Sequence, residues 1–239
     1  ELDRAAHVRI SGGSGGETGF QTGFDYGVMI VNASFDVTVR DRVFHSMRHG
    51  VTIGGAQGVN RLIRVDGCRC YDMRDAGIDA HPGTAEHEFT NNVVLFRYYE
   101  QAGAEYGNQD GVMTQGSQPR ITNNVFINCR ENGVAWQPFI APGVAAPVVG
   151  LIANNDMSNA AGLAQGVFVE LKDAASAPIQ SLAIENNRTR GFLRDVMLQT
   201  QINGAGISNI SIRNHDGIGG ERSVYVNARA GSVVDGLEI

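Results

Sequence analysis

The chain has 239 residues, a net charge of −6, 31 glycines, 10 phenylalanines and one tryptophan, with 42 % apolar residues. That is long enough for one continuous core, but turn-rich and thin in aromatic bulk. No apolar run reaches the roughly 18 residues a membrane span needs, and an acidic balance without a basic cluster excludes nucleic acid as the natural partner.

Along the chain, His7-Val-Arg-Ile10 already reads as a strand. From Gly50 onward a unit recurs: a glycine, a β-branched residue, then alternation at a period of two. Its copies are Gly50-Val51, Gly77-Ile78, Gly111-Val112, Gly133-Val134 and Gly166-Val167, followed by the degenerate Asp195-Val196 and Ser223-Val224. Alternation at two, rich in Val and Ile, predicts strands over 50–54, 77–81, 111–115, 133–137, 166–170, 195–199 and 223–227. Between them runs a second signature, an apolar residue followed two positions later by an Asn pair. It appears at Phe89-Thr-Asn-Asn92, Ile121-Thr-Asn-Asn124, Ile152-Ala-Asn-Asn155 and Ile184-Glu-Asn-Asn187, and weakens at Ile212-Arg-Asn-His215. The second members are 32, 31, 32 and 28 residues apart. A repeat of that length is the mark of a solenoid, whose units bury their apolar faces only by stacking.

The expected fold is therefore all-β: a single-stranded, right-handed parallel β-helix of about seven or more turns, one domain over 1–239. The strand-like ends suggest a piece of a longer chain. Asn tolerates a left-handed backbone and bonds neighbouring main chain, so the pairs are expected at one bend, stacked as an amide ladder. Cys68, Cys70 and Cys129 are odd in number and lack a metal-like spacing, which points to buried free thiols. No cofactor or metal is expected.

Counted from each anchor, positions one and three are apolar and point inward; positions two and four point outward. Position four supplies His81, Gln115, Gln137, Glu170 and Gln199, and position two supplies Asp79, Phe168 and Tyr225 among others. Amides for hydroxyls beside flat apolar surfaces suit a carbohydrate groove, and Gln115, Gln137, Phe168, Glu170, Gln199 and Tyr225 are the expected substrate contacts. At one end of this face Arg48 and His49 precede one strand, and Asp79 and His81 share the outward side of the next. A histidine beside a carboxylate is a proton-transfer unit. Asp110, one turn on, and Tyr106 in the insertion before it complete the candidate catalytic set.

Arg48-His49-Gly50-Val51-Thr52, with Asp79-Ala80-His81 one coil later, resembles the pectate-lyase-like β-helices of bacteriophage tailspikes and tail appendages. The second element is also similar to the Asp-Pro-His motif of alginate epimerase and alginate lyase β-helices, with Ala80 in place of proline. The resemblance implies an extracellular or virion-surface homotrimer that degrades or grips a host polysaccharide. For β-elimination it implies His81 or His49 as base, Tyr106 as proton donor and Arg48 as neutraliser of the uronate. For hydrolysis it implies Asp79 with Asp110 or Glu170. A non-catalytic glycan-binding spike or adhesin, and a uronan C5-epimerase, are the alternatives.

Overall fold

The computed structural model describes residues 1–12, 14–15, 26–54, 58–96, 109–139, 148–159, 164–172 and 176–239. Among them there is no helix; parallel strands stack into three sheets that wrap one core. The first sheet has nine strands: Leu2–Asp3, Tyr26–Val31, His49–Gly54, Ile78–Ala80, Val112–Thr114, Val134–Trp136, Gln165–Leu171, Arg194–Thr200 and Arg222–Asn227. The second sheet also has nine, eight in the stack and the short Thr84–Ala85 paired beside them, and the third has eight; Gly206–Ile207 and Val233–Val234 pair as a separate two-stranded sheet. The chain visits first, second and third sheet in turn and returns, which is a parallel β-helix; right-handed crossovers are the form that twisted parallel strands favour.

The anchors set the register. Val51, Ile78, Val112, Val134, Val167, Val196 and Val224 are successive partners down the first sheet. Every predicted strand is present to within about one residue at either end. Two earlier rungs extend the coil: Tyr26–Val31 pairs with His49–Gly54, and Leu2–Asp3 pairs with Tyr26–Val31. Gly27-Val28 carries the same anchor signal as the seven counted copies.

The anchor glycines have a packing role. A Cβ on Gly111 would lie 2.5 Å from Phe126 Cγ, and one on Gly133 would lie 2.4 Å from Met157 Sδ. The inward residue of the third-sheet strand, from Cys70 and Thr189 up to Phe126 and Met157, fills the space the glycine leaves. At the degenerate copy the arrangement inverts. Asp195 brings the side chain and Gly217 supplies the gap, since a Cβ on Gly217 would sit 2.0 Å from Asp195 Oδ2. Volume is conserved at the corner, as dense packing requires.

The bend from second to third sheet divides its work between the two Asn residues. The first members, Asn91, Asn123, Asn154, Asn186 and Asn214, all have φ between 50° and 60°. The second members are buried and form a ladder. Asn124 Oδ1 accepts from Asn92 N (2.9 Å) and Asn92 Nδ2 (3.0 Å), while Asn124 Nδ2 donates to Phe89 O (2.9 Å). Asn155 and Asn187 repeat the pattern one and two turns on. Every polar atom of these buried amides is thereby satisfied, at a site where an unpaired group is costly. Where the pair is missing, Gly67 (φ 65°) turns the chain and Cys68 N donates to Asn92 Oδ1 (2.9 Å). The three cysteines are free and buried, and burial pushes the Cys68 thiol up to about 11.

Candidate functional site

The outward face of the first sheet carries the expected columns. Thr52, Asp79, Met113, Ala135, Phe168, Met197 and Tyr225 are consecutive partners, one per rung. Thr52, Asp79, Ala135 and Met197 are buried; Met113, Phe168 and Tyr225 are half-buried. This face is a lined surface rather than an open sheet.

At its N-terminal end three of the predicted residues meet on a single oxygen. Asp79 Oδ2 lies 2.9 Å from His81 Nε2 and 3.4 Å from His49 Nδ1. The local fold explains why. Asp79 and His81 are two apart in an extended segment, so they share a side. His49 belongs to the preceding rung, where its ring stacks on Tyr26 at 5.5 Å between centroids. Gly54 sits one rung before His81, and its missing side chain leaves room for the imidazole.

The two histidines are tuned apart. Burial holds His49 below the ordinary imidazole value, against the opposite pull of Asp79 and Asp75. The hydrogen bond to Asp79 lifts His81 above that value, although partial burial opposes it. The His81 side chain is 49 % exposed and that of His49 only 5 %, so His81 is the one that can meet a ligand. Titratable neighbours driven in opposite directions mark acid–base work.

Asp75 belongs to this group although the sequence reasoning passed over it. Its Oδ2 is 3.6 Å from His49 Nε2 and 3.4 Å from Arg48 Nε. The signal was available: counting two places back from the first four anchors gives Arg48, Asp75, Gln109 and Glu131, a polar column at the corner of the coil. Asp110 is placed differently from its expected partners. It is buried at that corner, where its Oδ1 accepts from Asn132 N (2.7 Å) and Nδ2 (2.9 Å). Burial pushes its pKa up to about 8, with Glu131 and Asp75 adding to the rise against the Asn132 bonds. Tyr106 lies outside the described residues.

The amide row continues from there. Gln115 is half-buried, and its backbone N donates to Ala80 O (2.6 Å). Gln137 and Glu170 are buried and bonded to each other (Nε2 to Oε2, 2.6 Å), and Gln199 Nε2 donates to Glu170 Oε1 (2.9 Å). Gln201, unmarked in the sequence, also donates to Glu170 Oε1. Burial raises the Glu170 pKa against these three donors. These amides thus orient one another, leaving their carbonyl oxygens as the groups not committed to Glu170.

One further concavity, a groove of about 290 Å³, lies on the second sheet and includes Leu62, Pro119 and Leu151. Its charges neutralise one another, Glu88 standing 3.2 Å from Arg64 Nε and 3.6 Å from Arg120 Nε. It holds none of the proton-transfer residues, so the histidine pair is the better candidate centre.

Comparison with solved structures places this coil among known parallel β-helices. The chain is similar in fold to a PL6 alginate lyase solved in complex with a trisaccharide. The TM-score is 0.55 and the identity 13 %, over 100 % of this chain and 55 % of that one. It is also similar to a tailspike protein of E. coli bacteriophage HK620 in complex with a pentasaccharide. There the TM-score is 0.52 and the identity 14 %, over 98 % of this chain and 49 % of that one. The chain thus spans about half the length of these structures. No protein-family model and no curated sequence matches it.

Proposed function

We propose that this chain is the polysaccharide-processing part of an extracellular or virion-surface spike, and that it cleaves an acidic glycan by β-elimination. The observation that carries this reading is the exposed His81 imidazole held at 2.9 Å by the buried Asp79 carboxylate. With Nε2–H donated to Asp79, the neutral ring presents Nδ1 as the base, and the carboxylate stabilises the imidazolium that forms. In the step, His81 takes the proton from C5 of a uronic acid. The C5–H electrons become the C4=C5 double bond, and the C4–O bond breaks with its electron pair on the leaving oxygen. Tyr106 is proposed to protonate that oxygen. Arg48, 50 % exposed and 3.4 Å from Asp75, is proposed to neutralise the substrate carboxylate as negative charge develops on it.

Elimination is favoured over hydrolysis because the candidate carboxylates are otherwise engaged. Asp79 is shared by two imidazoles, and Asp110 and Glu170 are buried and hydrogen-bonded to amides. The spike is proposed to be a homotrimer, which sedimentation equilibrium of the purified protein tests.

A binding-only spike is the second reading, favoured by the burial of His49 and Asp79 and by the self-satisfied Gln137, Glu170 and Gln199 network. Incubation with acidic polysaccharides decides between them. Elimination yields an unsaturated uronate end that absorbs in the ultraviolet, hydrolysis yields reducing ends without it, and epimerisation changes the sugar without chain scission. His81→Ala should reduce turnover by roughly 100-fold or more with the fold intact. Wild-type protein that binds glycan but makes no product establishes the binding-only reading.

A further inference from the structure

The far end of the same face carries two arginines on one aromatic ring. Arg194 and Arg222 are direct partners across neighbouring parallel strands. The Arg194 Cζ lies 4.6 Å from the centroid of the Tyr225 ring, and the Arg222 Cζ lies 4.8 Å from it. The ring is half-buried and draws both guanidinium groups by cation–π attraction. Arg194 Nη1 also points to Met197 Sδ at 3.7 Å. Arg40, Arg48, Arg64, Arg120, Arg188, Arg190 and Arg213 each pair with a carboxylate. Among the described residues, neither Arg194 nor Arg222 does.

Like charges set opposite each other on adjacent strands repel, and among the described residues no carboxylate pairs with either of these two. A planar anion would supply the counter-charge, because two pre-oriented guanidinium forks match the geometry of a carboxylate. Four sheet steps separate Arg194 from the His81 rung and five separate Arg222 from it, about 19 and 24 Å at the usual strand spacing. The floor over that distance is the apolar column Met113, Ala135, Phe168 and Met197. The sequence reading had assigned Tyr225 to sugar contact and had given the arginines no role.

We propose that Arg194, Arg222 and Tyr225 form a carboxylate-binding subsite for an acidic sugar unit of the same glycan chain, about four rungs from the reactive histidine. This rests on the polysaccharide reading above. It adds that the polymer presents an acidic unit several sugars away from the bond that is cut.

The test is a printed array of neutral, carboxylate-bearing and sulfated oligosaccharides, probed with the wild-type chain, Arg194→Gln/Arg222→Gln, Arg222→Lys and the control Arg188→Gln. Melting curves confirm that each variant is folded. The double variant should lose at least tenfold in affinity for carboxylate-bearing glycans, a loss on the scale of one charge-assisted pair. Arg222→Lys keeps the charge without the fork and should fall between. Arg188→Gln, on the third sheet and away from this face, should bind as wild type. Equal binding by the double variant, preference for sulfate alone, or no binding of any carboxylate-bearing glycan each overturns the subsite. Failure of the lyase reading looks different: carboxylate-bearing glycans are held through the arginines, yet no bound glycan yields an unsaturated product.

Discussion

Gly54 and His81 stand at the same position on consecutive rungs, and a Cβ on Gly54 would lie 3.0 Å from both Cβ and Cδ2 of His81. The His81 imidazole therefore owes its place to an absent side chain beneath it. Gly54→Ala should push the ring outward by a few tenths of an ångström and loosen its bond to Asp79. We expect turnover to fall about tenfold, the sensitivity of a positioned catalytic group to small misplacement, with little change in melting temperature. Full activity in the alanine variant would show that the ring needs no such seat.

The His81–Asp79 pair also gives a pH signature. Because the folded-state pKa of His81 is raised, its stabilising contribution is complete below the unfolded value and disappears as pH climbs through the folded one. Asp79→Asn removes the carboxylate, so the His81 titration should move toward lower pH. Imidazole NMR shifts across a pH series measure this. A His81 curve unmoved by the substitution would mean that the 2.9 Å contact does not hold in solution.

Asp110 predicts the opposite experiment, one in which a substitution stabilises. Its pKa of about 8 in the fold means that the folded chain keeps a proton which the unfolded chain releases at its ordinary value of 3.8. Stability should therefore fall as pH rises between those values. Asp110→Asn keeps an oxygen for Asn132 and has nothing to ionise. Melting curves at pH 6.5 and 8 should show a smaller loss in the variant than in the wild type. His87, whose pKa burial drives down to about 3 from 6.5, adds its own pH dependence near the unfolded value, and because it is present in both proteins it cancels from the comparison.

Asn124→Ala strikes the amide ladder at its centre. It deprives Asn92 N and Phe89 O of partners while both stay buried. Urea unfolding should report a loss of about 1–3 kcal/mol, the cost of stranded polar groups. An unchanged midpoint would remove the ladder from the account of stability.

How much of this was legible in the sequence depended on whether the signal was periodic. The anchors and the Asn pairs repeat, so the register from Val51 to Val224 and the inward turn of Asn92, Asn124, Asn155 and Asn187 could be read before any coordinate. So could the meeting of His49, Asp79 and His81, because two strand positions and one rung determine it. Asp75 escaped because counting ran forward from the glycine and not backward into the corner. The burial of Gln137 and Glu170 escaped for another reason. Alternation tells which way a side chain leaves the sheet, but not what covers it afterwards. Asp110 showed the same limit, since its carboxyl turned to Asn132, a partner no spacing rule singled out.

The rungs stay in register although 34 residues separate Gly77 from Gly111 and only 22 separate Gly111 from Gly133. Length is absorbed at the corners, while the strand that bears Asp79 keeps its neighbours on both sides. Such a coil behaves as a rail on which the connecting segments can be lengthened, shortened or exchanged without moving the cluster of His49, Asp79 and His81. A lineage built on it can edit the margins of that face piece by piece while the cluster itself stays put.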